Sequence, residues 1–173
     1  TDVTTNTTQA LITYALPARF DPVTGRAIST YMVDVDAAVL STSLRKLARQ
    51  DNLLYLVEVA RLALITTSKP STELPLLDFS NSAEGEWYSV PNTASGAIND
   101  AMRLVLSKAG GREGLARESG HHVLDMDDTV VSYQHIRHNT LHWVAVDHTP
   151  RDFYFGEARR VTTILIVIAV AVL

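Results

Sequence analysis

The chain has 173 residues, a formal net charge of −4 and no cysteine. A chain of this length is expected to form one domain with its own hydrophobic core, and the lack of cysteine excludes disulfides, thiolate nucleophiles and cysteine-based metal sites. The negative charge gives no general attraction to nucleic acid. We predict a flexible N-terminal segment at residues 1–8 and a single globular domain at residues 9–173.

The first part of the chain predicts a long β-hairpin followed by a helix. Residues 9–16 have the composition of a strand that Pro17 is expected to end, and residues 27–35 alternate as a second strand. A turn rich in proline and glycine joins the two strands. Asp36 is the expected N-cap of a helix over residues 37–50, because apolar residues recur there at helical spacing.

Residues 53–66, LLYLVEVARLALIT, fit two structures. In a helix, Glu58 and Arg61 would be neighbours on one face. In a strand, the β-branched and aromatic residues would suit a buried position in a sheet. The length of the apolar run favours the helix.

The next part of the chain predicts a long loop and a third helix. Residues 67–91 contain three prolines and are expected to form a loop in which Trp87 and Tyr88 make a short strand or a packed plug. Residues 95–109 have the clearest helical pattern, and two glycines end it. The polar residues 112–120 are expected to form an exposed loop.

The last part of the chain predicts strands. Residues 130–136 and 141–146 are expected to pair as a hairpin. Residues 161–173, VTTILIVIAVAVL, predict a buried C-terminal strand, since about 12 apolar residues are too few for a membrane-spanning helix; a truncated membrane anchor is the alternative. The elements together predict an α+β, β-rich fold with an antiparallel sheet or sandwich, a jelly roll among the options, and two or three helices.

All six histidines lie between residues 120 and 148. In a strand, His142 and His148 would point the same way, and His138 would lie in a turn. Neutral imidazoles bind zinc, but the spacing matches no known zinc motif, so neither a metal site nor a cofactor is predicted. We predict instead that His135, His138, His142 and His148 are interface or pH-responsive groups.

Residues 123–130, VLDMDDTV, contain an Asp-x-Asp-x-Thr string after hydrophobic residues. This string resembles the first motif of the haloacid dehalogenase-like phosphohydrolases. The resemblance implies a Mg²⁺-dependent reaction in which Asp125 attacks phosphorus and Asp127 protonates the leaving group. The match covers eight residues, and no lysine follows Lys108 to bind phosphate. A polar turn between strands is therefore the preferred interpretation.

The predicted function is a self-assembling structural subunit of viral coat or shell type, with copies of itself as partners. Twelve arginines against three lysines favour interfaces, and residues 142–153, HWVAVDHTPRDF, are loosely similar to the last-strand ending of small plant-virus jelly-roll coats. That similarity implies a basic arm before Thr1 that binds nucleic acid. The alternative is the phosphohydrolase, so enzymatic activity is left open. A soluble chain, in a virion or the cytoplasm and without a membrane partner, is expected.

Overall fold

The protein has a strand-rich α+β fold, as the sequence predicts. The computed structural model describes residues 11–48, 52–70, 73–78, 86–138 and 141–153. In chain order its elements are β1 (Leu11–Phe20), β2 (Ala27–Asp36), α1 (Ala37–Leu47), β3 (Leu53–Glu58), β4 (Ala63–Thr67), β5 (Leu77–Asp78), β6 (Glu86–Trp87), α2 (Gly96–Ala109), α3 (Arg112–Arg117), β7 (His121–Met126), β8 (Thr129–His138) and β9 (Leu141–Pro150).

The main sheet has five antiparallel strands in the order β4-β3-β9-β8-β7. Alternate residues of each strand face opposite sides of the sheet. One face packs against α2 and forms the main core, and the other face packs against α1. The largest fully buried side chains of the main core are Tyr55, Leu64, Ile98, Met102, Leu115, Val57, Val59, Val90, Val105, Val131, Val144 and Val146. The main sheet is therefore the middle of three layers, between α1 and α2.

The segment predicted as one helix over residues 53–66 forms β3, a turn and β4, so that prediction was wrong. Leu62 adopts a left-handed conformation with φ of 55°. The Glu58 carboxylate accepts backbone N–H groups of Ala60 at 3.1 Å and Arg61 at 2.8 Å. Both strands are covered on both faces, so their continuous apolar run lacks the period-two pattern that identifies a half-exposed strand.

Strands β1 and β2 form the predicted hairpin as a separate two-stranded sheet. The prediction that Pro17 ends β1 was wrong, because the strand continues past it with register shifts on its C-terminal side. Proline is tolerated at bulges in edge strands, and both strands of a two-stranded sheet are edges. In the turn, the Asp21 carboxylate accepts hydrogen bonds from Val23 N and Thr24 Oγ1, and Gly25 has φ of 67°.

The helix ends follow the capping residues in the sequence. The carboxylate of Asp36 caps α1 as predicted, although α1 ends three residues earlier than expected. Ser95 caps the start of α2, and Gly110, with φ of 79°, caps its end. The polar segment predicted as a loop instead contains α3, whose only fully buried side chain is Leu115. Because Leu115 is the one large apolar residue of this short helix, the sequence shows no helical repeat of apolar positions there.

Strands β5 and β6 are short, and Trp87 pairs with Leu77, which confirms the short-strand option. The hairpin of β8 and β9 confirms the predicted pairing near the end of the chain. No helix within the described residues is both long and apolar enough to cross a membrane. The predicted N-terminal segment at residues 1–8 and the predicted strand at residues 161–173 lie outside the described residues.

Candidate functional site

One carboxylate, three histidines and a tyrosine gather at one end of the core-facing side of β7, β8 and β9. We call this group the Glu118 cluster; it consists of Glu118, His122, Tyr133, His135 and His142. In the sheet register His122 lies opposite Tyr133, and His135 follows Tyr133 by two residues, so the three share a face. Glu118 is the C-cap residue of α3, which brings its carboxylate to the rings.

The hydrogen bond from Arg137 fixes the accepting state of the nearest nitrogen of His142, which faces His135. Nε2 of His142 lies 3.2 Å from Nε of Arg137 and 3.1 Å from Nδ1 of His135. Arginine only donates hydrogen bonds, so Nε2 of His142 is an acceptor and carries no hydrogen. Nδ1 of His135 shares this acceptor with Arg137 when it carries the ring hydrogen. In that tautomer the Nε2 atom of a neutral His135 ring has the free lone pair.

Both inner histidines favour the neutral form. Burial is the main cause that lowers the pKa of His135 from its usual 6.5; His142 and Arg137 lower it further, and Glu118 opposes them. Burial also lowers the pKa of His142, and the charge of Arg137 adds to this effect. Desolvation penalises the charged imidazolium. Both rings are therefore expected to be neutral at pH 7.

The outer side of His135 faces an acceptor. The His135 side chain is 2% exposed, and its Nε2 atom has no hydrogen-bond partner among the described residues. That atom lies 3.9 Å from Oε2 of Glu118. The same carboxylate oxygen accepts a hydrogen bond from the hydroxyl of Tyr133 at 2.9 Å. Burial, followed by this bond, raises the pKa of Tyr133 and keeps the hydroxyl protonated.

His122 completes the outer half of the cluster. Its Nε2 atom lies 4.0 Å from Oε2 of Glu118 and donates a hydrogen bond to the carbonyl of Ser119 at 3.1 Å. Its ring stacks on Tyr133, with centroids 4.7 Å apart and planes 15° from parallel. One ligand atom each from Glu118, His122 and His135 lies within 4.8 Å of the other two, which is a set that could hold a metal ion.

Arg137 ties α3 to the sheet at this site. Besides its bond to His142, its Nη2 atom donates hydrogen bonds to the carbonyls of Ala116 at 2.6 Å and Glu118 at 2.5 Å. These carbonyls lie at the end of α3, where helical carbonyl groups need partners. The guanidinium therefore orients His142 and positions the backbone of Glu118 together.

The structure brings together two of the four histidines predicted as interface or pH-responsive groups, His135 and His142. His138 ends β8 and is exposed. His148 lies on the same side of β9 as His142 but near the other end, 3.0 Å from Oγ1 of Thr129. Burial lowers the pKa of His148, and Asp147 opposes this shift. The interface and pH-responsive roles of all four stay predictions.

The two aspartates of the phosphohydrolase-like string lie at an edge of the main sheet. Asp125 is an exposed residue of β7, and its Oδ1 atom accepts a hydrogen bond from Nη2 of Arg151 at 3.0 Å. Asp127 lies in the turn between β7 and β8, with φ of 40°. The turn is thus limited to Asp127 and Asp128, whereas Asp125 belongs to the strand before it. The catalytic roles of Asp125 and Asp127 stay predictions.

Glu118, His122 and Tyr133 were not predicted as site residues. Known zinc motifs have closely spaced ligands, whereas Glu118, His122 and His135 come from three separate parts of the fold. Alternation along β8 does place Tyr133 and His135 on one face, and that was the available signal. Nothing local in the sequence indicated that Glu118 would reach them.

The hairpin of β1 and β2 presents a second unusual surface. Tyr31 and Met32 are 70% and 71% exposed, and Phe20 and Ile28 are also exposed. Within the described part of the chain, the two strands pair only with each other and with no further strand. No protein-family model and no curated protein sequence matches this chain.

Proposed function

We propose that the protein is a self-assembling structural subunit whose β1–β2 hairpin packs against a second copy of the chain. The observation that supports this proposal is a ribbon of two ten-residue strands that exposes large apolar side chains, Tyr31 and Met32 above all. A two-stranded ribbon is marginally stable by itself in water. Contact with another surface would stabilise it.

The sequence of the ribbon favours one of its faces as the contact. The register pairs three sets of apolar or aromatic positions, and cross-strand partners occupy the same face. The pairs are Ile12 with Val35, Tyr14 with Val33, and Leu16 with Tyr31. The positions of the opposite face alternate with these and combine Met32 with the polar residues Thr13, Thr30 and Asp34, so that face is mixed. We therefore assign the contact to the face of Tyr31.

A second copy of the chain suits this face better than an unrelated partner does. Two copies related by a two-fold axis present the same apolar face to each other, so the surfaces match without a further protein. Fully burying one large apolar side chain contributes about 1.5–3 kcal/mol before the cost of ordering the partners. A few such residues suffice for a stable contact.

Coat or shell-type assembly is the specific form that we propose. It is supported by the excess of arginine over lysine, since the guanidinium group suits interfaces. It is also supported by the loose similarity of residues 142–153 to the last-strand ending of plant-virus coats. The phosphohydrolase alternative stays a prediction; the bond from Arg151 to Asp125 gives it no specific support.

The test compares two lysine substitutions in adjacent residues of β2. Tyr31→Lys places a charge on the apolar face, and Met32→Lys places the same charge on the opposite face at an equally exposed position. In sedimentation velocity, we expect the wild type and Met32→Lys to associate as their concentration rises and Tyr31→Lys to remain monomeric. Circular dichroism checks that all three are folded.

Two outcomes would contradict the proposal. The first is a wild-type protein that is monomeric at every concentration. The second is an equal effect of both substitutions, which would mean that the face of Tyr31 has no special role. A monomer whose Tyr31 is nevertheless shielded from solvent would assign this face to another segment of the same chain.

A further inference from the structure

We infer that Glu118, His122 and His135 form a binding site for a divalent transition-metal ion of the zinc class, with one coordination position open. This inference does not depend on self-assembly, because the three residues lie at the end of α3, on β7 and on β8 rather than on the hairpin. Its support is the buried Nε2 atom of His135 together with the carboxylate that it faces.

Nε2 of His135 and a carboxylate oxygen lie close together in the Glu118 cluster without a hydrogen bond between them. In the tautomer in which Nδ1 of His135 bonds to His142, Nε2 has the free lone pair. Oε2 of Glu118 is 3.9 Å away, and Nε2 has no hydrogen-bond partner among the described residues. An unsatisfied buried polar atom destabilises a fold by about 1–3 kcal/mol. A cation between the two atoms would satisfy both.

The distances require small movements of the two outer ligands. Four-coordinate zinc has bonds of about 2.0–2.1 Å, which places its ligand atoms roughly 3.3 Å apart. The present distances from Oε2 of Glu118 are 3.9 Å to His135 and 4.0 Å to His122. Side chains of Glu118 and His122 are 27% and 35% exposed and have room to close on the buried ring. His122 would exchange its bond to Ser119 for the metal.

The surrounding residues already orient the ligands. A metal-bound histidine usually donates its other N–H to a protein acceptor, which fixes the ring and its tautomer. His142 is that acceptor for His135, and Arg137 holds His142 in the accepting form. The hydroxyl of Tyr133 bonds the Glu118 carboxylate in the same supporting way.

The donor atoms define the class of metal. Two imidazoles and one carboxylate suit Zn²⁺, Co²⁺ or Ni²⁺, whereas Mg²⁺ and Ca²⁺ prefer oxygen ligands alone. Three protein ligands leave a fourth tetrahedral position for water or a small anionic ligand. Glu118 and His122 are partly exposed, whereas His135 is buried. The open coordination position therefore lies on the solvent side of the cluster.

The test is titration of the metal-free, untagged full chain with Zn²⁺ by calorimetry, and with Co²⁺ by visible absorption. We expect one saturable site per chain and a Co²⁺ spectrum of tetrahedral intensity. His135→Gln, His122→Gln and Glu118→Gln should each weaken binding by more than tenfold, since loss of even an outer-shell partner costs about 10–100-fold. His121→Gln, at the exposed neighbouring position of β7, is the matched control and should bind like the wild type.

The outcomes separate the inference from its alternatives. No saturable binding by the wild type would overturn it. So would binding that Glu118→Gln leaves unchanged, because that result indicates adventitious histidine binding. Glu118 is on the surface side of the cluster, so this variant keeps the test valid even if His135→Gln fails to fold. The same titration of Tyr31→Lys should give wild-type affinity, whatever the state of assembly.

Discussion

Nε2 of His135 and Oε2 of Glu118 lie 3.9 Å apart, with the imidazole atom buried and without a hydrogen-bond partner among the described residues. The two residues lie where the end of α3 meets β8, beside the apolar side chains of the main core.

Replacing His135 with leucine should leave the metal-free protein as stable as the wild type or more stable. The substitution removes a buried unsatisfied nitrogen that costs about 1–3 kcal/mol, and it gives up one hydrogen bond of about 1 kcal/mol. Urea unfolding in the presence of a chelator measures the free energy. His138→Leu, at the exposed end of the same strand, should change little. A loss of several kcal/mol in His135→Leu would show that the ring is already satisfied.

Replacing Arg137 with glutamine should loosen the end of α3. The change removes the bonds to the carbonyls of Ala116 and Glu118. Because Arg137 is exposed, we expect a loss of only about 1 kcal/mol. Hydrogen exchange should become faster in α3 and remain unchanged in α2. Arg117→Gln, which removes an exposed ion pair with Glu113 in the same helix, is the control; equal effects of the two variants would contradict a tethering role for Arg137.

Truncating Leu115 to alanine should destabilise the fold by about 2–5 kcal/mol, as other buried leucine truncations do. Leu115 is fully buried and is the apolar anchor of α3. Chemical denaturation provides the measurement. Leu47→Ala, at an exposed position of α1, should change the free energy of unfolding by less than about 0.5 kcal/mol. A small effect at Leu115 would mean that α3 is not required for the stability of the core.

The free energy of unfolding should decrease as the pH is lowered, because His148 becomes protonated. Burial lowers its pKa in the folded protein below the usual 6.5, with a smaller opposing effect of Asp147. Just below pH 6.5, His148 therefore binds a proton in the unfolded chain but not in the folded chain. The stabilisation that is present above pH 6.5 is lost as the pH falls toward the lowered pKa of His148 in the folded protein.

Unfolding free energies of the wild type and His148→Gln, measured from pH 8 to pH 5, test this dependence. The wild type should lose more stability than the variant on acidification, since glutamine does not titrate. His138→Gln is the control, because His138 is exposed at the end of β8. Parallel curves for the wild type and His148→Gln would rule out His148 as a source of the pH dependence.

The sequence predicted those parts of the fold that depend on local signals. The hairpins of β1–β2 and β8–β9 follow from alternation and turn residues, and Asp36 occupies the expected capping position. The pair β3–β4 was missed because burial on both faces removes alternation. The turn between them depends on the carboxylate of Glu58, which looks in sequence like a helical ion-pair partner.

The candidate site was predictable only in part. Strand alternation is local, so it places His142 and His148 on one side of β9 correctly. Glu118 reaches the histidines only because Leu115 packs α3 into the core and Arg137 binds the helix end. Such contacts form between segments that are about 20 residues apart along the chain. They depend on tertiary packing, so the spacing of residues in the sequence does not predict them.

Self-assembly through the hairpin is tested most directly by hydrogen exchange of the backbone amides of β1 and β2 at a series of protein concentrations. We predict that their protection rises with concentration in the wild type and not in Tyr31→Lys. Amides of β8 and β9, within the main sheet, serve as the internal reference and should not respond. Protection of β1 and β2 that is the same at every concentration would contradict assembly through this surface.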